Sequence, residues 1–573
     1  AAIEHEYTTL WQRLGLSVDW QHTYRTIDDR SRKTSQRSFL DLYRKGLVYR
    51  RDAPAIWCPE CRTTIAQAEL DELERPTEFF TLAFDLDNGE ALPIATTRPE
   101  LLPACVAVFV HPEDERFLAL VGHQVILPLI GRQVPLLADR SADPTKGTGA
   151  VMCCTFGDTT DVEWWRTHGL PLIEIIGRDG LLTASAGSHL AGLAPVEARR
   201  RIVAGLDRRG LLQGRRSAVQ TVRVHERCDT PVEYVVTPQW FVRLLDFKQQ
   251  FLEAGDRVAW HPPSMQARYR DWVENLRWDW CLSRQRHFGV PFPLWHCDAC
   301  GQVLLAEERQ LPVDPRTQLP EAPCACGGTS FAPETDVMDT WATSALTPQI
   351  SGRQLDDPEL YRQVFPYSLR PQAHEIIRTW TFYTIAKHHY HWGVAPWRDV
   401  AISGWVLAPD GKGKISKSRG GAATTPAQLL DRYGTDAVRY WAAGASLGRD
   451  VLFSEDSIRS GARLVTKLWN VARFSRRFLE GYRPPVQSPA LAPADRWLLS
   501  HLQRLIASDT ERFQDYDYAG ARSETERFFW HVLTDNYLEL AKLRLYDDTA
   551  EQHAGACYAL HLVSYTHLTL PTI

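Results

Sequence analysis

Two short turns stand far apart in this chain, Cys58-Pro-Glu-Cys61 and His225-Glu-Arg-Cys228. One metal ion held by both would force everything between them to leave and re-enter the fold at a single point. A lone C-x-x-C carries little, and His225 and Cys228 also read as ordinary loop residues. The competing reading is a zinc that pins both ends of an insertion. A second set lies closer together: Cys297-x-x-Cys300-Gly and Cys324-x-Cys326-Gly-Gly form two knuckle-like turns whose thiolates can converge on one tetrahedral ion, with glycine permitting the tight backbone. The C-x-C pair is one residue shorter than usual. Neither set looks like three ligands plus an open position, so both read as structural zinc sites rather than catalytic ones.

The twelve cysteines are otherwise few for a disulfide scaffold in 573 residues, which points to a reducing, cytoplasmic setting. Length allows about three or four domains. A net charge of −5 excludes a uniformly basic nucleic-acid binder, although a basic face on one domain can hide inside that sum. No apolar run reaches the roughly 18 residues of a membrane span. Residue 1 is Ala, with no charged-then-apolar leader, and the chain reads as an internal piece of something longer.

Along the chain, Trp11, Leu14 and Leu16, then Phe39, Leu40, Leu42 and Leu47, recur at near-helical spacing. From Thr77 to Val222, apolar runs such as 104–110, 125–130 and 150–154 alternate with Gly and Pro, which predicts an inserted, compact β-rich domain. Strands and helices then alternate, with 400–407 as a buried strand after an aromatic helix at 376–390, as in an α/β sheet. Past the proline-rich 483–493, Trp497, Leu498, Leu502, Leu505, Ile506 and later Phe528, Phe529, Leu533, Tyr537, Leu538 and Leu540 trace amphipathic helices of a bundle. The expected units are 1–76, 77–222, 223–456 with a zinc module at 296–330, a stem at 457–482, and the bundle at 483–573.

The stretch Gly411-Lys-Gly-Lys-Ile-Ser-Lys-Ser-Arg-Gly420 packs four cations among three glycines and two serines. A solvated surface turn has such a composition. So does a mobile clamp in which Lys414 and Lys417 reach phosphate oxygens while Ser416, Ser418 and backbone N–H groups add donors. It is not a P-loop, because G-x-x-x-x-G-K-[ST] is not met. Thr159-Thr160-Asp161 reads as a helix N-cap followed by a first-turn carboxylate, and Cys153 and Cys154 as core strand thiols.

Lys414-Ile-Ser-Lys-Ser418 resembles the K-M-S-K-S signature of class I aminoacyl-tRNA synthetases, with Ile415 for Met. With Asp336-Val-Met-Asp-Thr-Trp341, Arg370-Pro-Gln-Ala-His-Glu-Ile-Ile-Arg-Thr-Trp380, Ser283-Arg-Gln-Arg286, Thr96-Thr-Arg-Pro-Glu100, Gly147-Thr-Gly149 and Asp535-Asn-Tyr537, nearly the whole chain is similar to the valyl branch of that family. The resemblance implies an α/β fold: a class I Rossmann-type catalytic domain with its N-terminal part missing, an inserted β-rich editing domain, zinc modules, and a C-terminal α-helical anticodon-binding bundle. It implies a valine–tRNA ligase acting on valine, ATP and tRNA(Val) with Mg²⁺, as a monomer with no membrane partner.

By that resemblance Lys414, Ser416, Lys417 and Ser418 hold the ATP triphosphate, the lysines acting as clamps rather than bases. His374 and Glu375 fall at the ribose-binding place, where Ala373 stands for the family's Gly. Trp341 is the wall of the valine pocket. Threonine is nearly isosteric with valine, and an apolar pocket rejects an added hydroxyl by only about 10²-fold, a figure known for this very pair of amino acids and not deduced from this chain. Hence a second, hydrolytic site is implied, in which Asp161 takes the substrate ammonium, Thr96 and Thr97 face the ester and terminal ribose, and Asp158 is a polar wall. Arg473, Arg476, Arg477 and Arg483 would meet tRNA phosphates near the bundle.

Two departures accompany the resemblance. No His-x-Gly-His occurs, so the family's H-I-G-H histidines are not in this chain, which is therefore expected not to activate valine alone. From Ser564 the helical period drops, and the tail reads as non-native. The alternatives are an editing-only aminoacyl-tRNA hydrolase, an isoleucyl-type synthetase, and a zinc-stabilised RNA-binding protein without catalysis.

Overall fold

A computed structural model describes residues 2–409, 411, 415 and 425–569. Two antiparallel ribbons organise it. The first pairs Val48–Cys58 with Glu233–Val242, from Val48 opposite Val242 to Trp57 opposite Glu233. The second pairs Leu70–Leu86 with Leu212–His225, from Leu70 opposite His225 to Leu82 opposite Leu212. The first ribbon joins a strand before the insertion to one after it, and the second joins the outgoing and returning arms of the insertion, so the chain leaves and returns side by side. The outward half of the second ribbon alternates charged, exposed residues with half-buried ones. From Phe80 onward its inward positions Phe80, Leu82, Phe84 and Leu86 are buried, and it becomes part of a seven-stranded sheet. Helix Pro195–Arg208 covers that sheet with Ala198, Ile202, Val203 and Leu206, a stripe at helical spacing.

Outside the insertion, a parallel sheet places Trp397–Ser403 between Ala259–His261 and Tyr367–Ala373. Parallel strands need crossover helices, and Lys248–Asp256, Met265–Glu274 and Phe382–Trp392 supply packing faces rich in aromatics. The aromatic helix expected at 376–390 begins as a 3₁₀ turn, His374–Ile376, passes through a π turn, Ile377–Thr381, and only then becomes α-helical. The strand expected at 400–407 is broken at Gly404, where a Cβ would lie 2.1 Å from the Arg449 carbonyl oxygen. A three-stranded sheet of Leu294–Cys297, Val303–Leu305 and Phe331–Pro333 carries the second cysteine set.

Beneath the sheet, three charged side chains are almost fully enclosed. Arg284 Nη2 lies 2.5 Å from Glu69 Oε2 and 2.9 Å from Asp339 Oδ2, all three 1% exposed, and Arg284 Nη1 donates to the Cys281 and Ser283 carbonyls. Burial penalises every charge here. The guanidinium overcomes it for Glu69, which is held low, whereas Asp339 is raised. Arg284→Met leaves two buried carboxylates without their partner, and should cost about 3–5 kcal/mol in chemical denaturation. An unchanged midpoint would show that the triad is not holding this region together.

C-terminal helices Glu455–Leu479, Pro493–Gln514, Tyr518–Arg527, Leu538–Tyr546 and His553–Thr569, with the π segment Phe528–Tyr537, bury Leu498, Leu502, Phe529, Leu533, Tyr537 and Leu560. Trp497, Ile506 and Leu540, expected on the inner face, are exposed at 38%, 36% and 61%. The last helix runs through Ser564 to Thr569, past the point where the apolar period drops, because backbone hydrogen bonding continues where side-chain patterning stops. Among the described residues no helix is long and apolar enough to cross a membrane.

Candidate functional site

In the insertion, strand Val151–Cys154 runs into a turn and then helix Thr159–His168. The helix cap is Asp158 rather than the threonines: its Oδ1 accepts from the N–H groups of Thr160 (2.8 Å) and Asp161 (3.1 Å). Asp161 answers reciprocally. Its Oδ2 accepts from Gly157 N–H (2.7 Å) and Asp158 N–H (3.1 Å), and its Oδ1 from Cys154 N–H (3.2 Å). A Cβ at position 157 would lie 2.7 Å from Asp161 Oδ2, so the glycine is needed for the approach. Burial first, and the Asp158 carboxylate second, push Asp161 up to about 8 against those three donors.

Thr96 ends strand Ala91–Thr96 and its Oγ1 accepts from Arg98 N–H at 3.0 Å; Thr97 is half-buried beside it. Arg98 Nη1 donates to the Gly157 carbonyl (3.5 Å), which brings the threonine pair to the Asp158–Asp161 turn. A Cβ on Gly147 would lie 2.9 Å from Ala95 Cβ, so the Gly147-Thr-Gly149 turn packs on the same strand. Arg98 falls within Thr96-Thr-Arg-Pro-Glu100, yet its partners are not foreseeable from sequence. Its Nη2 donates to both Glu233 oxygens (3.0 and 3.1 Å) and its Nε to Glu100 (3.0 Å), which is fully buried and is also gripped by Arg199 at 2.7 Å. The only local hint was an Arg and a Glu in an apolar stretch.

In the parallel-sheet domain, His374 and Glu375 sit where strand Tyr367–Ala373 gives way to its helix. The His374 ring is 8% exposed and turned inward: Nε2 is 3.2 Å from Asp450 Oδ1, and the ring packs on Trp405 at 4.7 Å between centroids. Trp341 opens helix Thr340–Ser344 and packs half-buried on the main core, its N–H donating to Asp339 Oδ1. Asp336 accepts from Gln285 Nε2 (2.8 Å), and burial with the nearby Glu334 pushes it up to about 6. Lys414, Ser416, Lys417 and Ser418 lie outside the described residues. The segment that carries them starts from Val406–Leu407, paired in parallel with Val451–Leu452, and Ile415 N–H donates back to Val406 O at 3.0 Å. A cleft of about 470 Å³ separates Thr159 in the insertion from Trp272, Arg277 and Arg378 of the parallel-sheet domain.

The two ligand sets converge. Cys58 Sγ lies 3.5 Å and Cys61 Sγ 3.9 Å from Cys228 Sγ, with His225 Nδ1 3.5 Å from both Cys61 and Cys228. Cys297–Cys326 and Cys300–Cys324 each stand at 3.6 Å. Tetrahedral zinc with bonds of about 2.3 Å to sulfur separates its ligands by roughly 3.8 Å, so both donor sets fit and could bind zinc. In each set, all four ligand atoms lie within 4.8 Å of one another. The short C-x-C spacing is absorbed by the turn in which Gly327 N–H donates to Cys324 O. All twelve cysteines are free of disulfides.

Residues 2–454 match the family described as tRNA synthetases class I (I, L, M and V), and residues 495–570 the anticodon-binding domain of tRNA ligase. A valine--tRNA ligase of Anaplasma marginale is 45% identical over 99% of this chain and 71% of its own length. One from Rickettsia rickettsii is 43% identical over 96% and 69%. Among solved structures, a LeuRS–tRNA–LeuAMS ternary complex of Agrobacterium radiobacter K84 superposes with a TM-score of 0.53 at 18% identity, covering 97% of this chain and 73% of that one. A methionyl-tRNA synthetase of Mycobacterium tuberculosis bound by methionyl-adenylate gives 0.52 at 15%, covering 97% and 74%. At such identities these two speak for the fold alone.

Proposed function

Because the chain belongs to the valine--tRNA ligases of the class I synthetase family, we propose that, in company with the H-I-G-H histidines its own sequence lacks, it joins valine to tRNA(Val) at the expense of ATP, and that it clears threonyl-tRNA(Val) in its insertion. The observation that carries this reading is similarity at 45% identity across 99% of the chain, motifs and insertion included. Neither an isoleucyl-type enzyme nor a deacylase without ligase activity finds support among these relatives.

In this reading, ATP with Mg²⁺ is held by Lys414, Ser416, Lys417 and Ser418 along the triphosphate, with Glu375 at the ribose. The in-line displacement by the valine carboxylate depends on offsetting charge rather than on proton transfer. His374, tied to Asp450 and Trp405, contributes by fixing the turn that presents Glu375. Trp341 offers a flat apolar face to the branched side chain. The metal in both cysteine sets is structural zinc, which when bound cross-links chain segments and supplies no reacting group. Residues 495–570 meet the anticodon arm of tRNA(Val), and the thiol-rich metal sets suit the cytoplasm.

In the insertion, Asp161 Oδ1 accepts one backbone N–H and keeps capacity for the substrate ammonium, while the Thr96 and Thr97 hydroxyls face the ester and terminal ribose and Asp158 walls the site. The ammonium needs the carboxylate form. Asp161 is raised from 3.8 to about 8, so kcat/KM for deacylating threonyl-tRNA(Val) should rise with pH through that value. The stability consequence has the opposite sign: between those two values the folded chain binds more protons than the unfolded one, so this group's contribution falls as pH rises. Asp161→Ala should lower deacylation about 10- to 100-fold, the worth of one charge-assisted hydrogen bond, and flatten the pH profile. Full activity with an unaltered profile would remove Asp161 from the mechanism.

A further inference from the structure

One guanidinium joins the base of the insertion to the turn that presents the proposed ribose site. Arg378 lies in the π turn Ile377–Thr381, just past Glu375. Its Nη1 donates to the Leu70 carbonyl at 3.0 Å and its Nη2 to Asp71 Oδ1 at 3.0 Å, with Glu226 Oε2 at 3.5 Å. Leu70 and Asp71 begin one arm of the outer ribbon. Glu226 lies inside the other metal-ligand turn, between His225 and Cys228, and its own N–H donates to the Glu69 carbonyl at 3.0 Å. The cluster is two-thirds or more enclosed at Arg378 and Glu226, which are 33% and 30% exposed, so its geometry is held more firmly than in a solvated ion pair. A π turn adds one residue to the helical ladder, and such turns gather at functional sites. Here it follows directly on the His374–Ile376 turn that holds Glu375.

We propose that Arg378 is a positioning residue that links metal occupancy of the Cys58–Cys61–His225–Cys228 set to nucleotide occupancy at His374–Glu375. The inference rests on the reading of that pair as nucleotide-binding. With the metal in place, the His225–Cys228 turn is rigid and Glu226 is presented to Arg378, which keeps the π turn in register. Without it, Glu226 is released and the turn loses one of its three acceptors. Linkage makes the effect reciprocal: whatever metal does for nucleotide affinity, nucleotide does for metal affinity.

The test uses the zinc-loaded full chain, with release of metal into a chromogenic chelator followed with and without ATP–Mg²⁺, and ATP binding measured separately by equilibrium dialysis. ATP should slow the release of one of the two metal ions by at least about 5-fold, the lower end of typical couplings. In Arg378→Ala that slowing should vanish while ATP still binds. Glu226→Gln, which leaves every ligand in place, should reduce it, and Arg378→Lys should restore part of it. ATP binding with no effect on metal release, or an effect that survives in both Arg378→Ala and Glu226→Gln, would overturn the link alone. If the unsubstituted chain binds no ATP, the nucleotide reading fails and the link falls with it.

Discussion

Dialysis of the reduced protein against a strong chelator should take its metal content from two ions per chain to none and lower its unfolding midpoint by at least about 10 °C, because structural zinc contributes binding free energy on the order of 10 kcal/mol directly to folding. The two sets should not behave alike. Cys297, Cys300, Cys324 and Cys326 close a local module whose three short strands have little core of their own. Its loss should show as local unfolding and proteolysis near 296–330. Cys58, Cys61, His225 and Cys228 instead tie two chain segments, 164 to 170 residues apart across the contacts, at the foot of the insertion. Its loss should free the insertion to move as a body. Cys326→Ser and Cys228→Ser separate the cases, each leaving one metal ion. Burial pushes the Cys58 thiol up to about 12, so a bound cation must displace its proton and metal uptake by this set should release protons. One ion per chain in the unsubstituted protein would discard one set, and an unchanged midpoint after complete removal would discard the structural role of both.

What could be foreseen from sequence follows the range of the chemistry. The convergence of the two cysteine sets was legible because zinc-capable sites need cysteine and histidine at short fixed spacings, and even the irregular Cys324-x-Cys326 comes within reach of its partners. Arg98–Glu233 and Arg284–Glu69 were not, since their partners are 135 and 215 residues apart and nothing local marks an arginine that will be buried. In the insertion the sequence pattern places the helix cap on the threonines, whereas the structure places it on Asp158. Asp158 wins because its carboxylate accepts two N–H donors while Asp161, three residues on, returns the bond to the cap. The insertion begins upstream of the compositional change at Thr77, at Leu70 opposite His225, because a free-standing ribbon carries as many charges as a loop. In the bundle, helical period identified the helices, yet it could not separate Leu498 from Trp497, one buried and the other 38% exposed, since adjacent apolar residues differ only in which side of a helix the partners occupy.

The same range sets what is expected of the lysine segment. Both of its ends are held in the fold: Gly411 N–H donates to Ala408 O at a φ of 70°, and Thr425 caps helix Pro426–Tyr433 through Gln428 N–H. In the proposed reading Lys414 and Lys417 offset negative charge that builds on the α-phosphorus oxygens and the departing pyrophosphate, so their removal should lower kcat far more than it raises the KM for valine. Lys414→Ala and Lys417→Ala are each expected to slow valyl-adenylate formation by about 10²- to 10³-fold in a form of the protein that also carries the H-I-G-H segment, read as valine-dependent ATP–pyrophosphate exchange against the unsubstituted form of the same length. The double variant should lose less than the product of the two, because both ammonium groups act on one triphosphate. Arginine at either place keeps the charge but spreads it over a planar fork, and should recover part of the rate. Deacylation of threonyl-tRNA(Val) uses no nucleotide and should be untouched in all of them, so a parallel fall in both activities would mean that these substitutions disturb the fold and that the lysines are not the clamp.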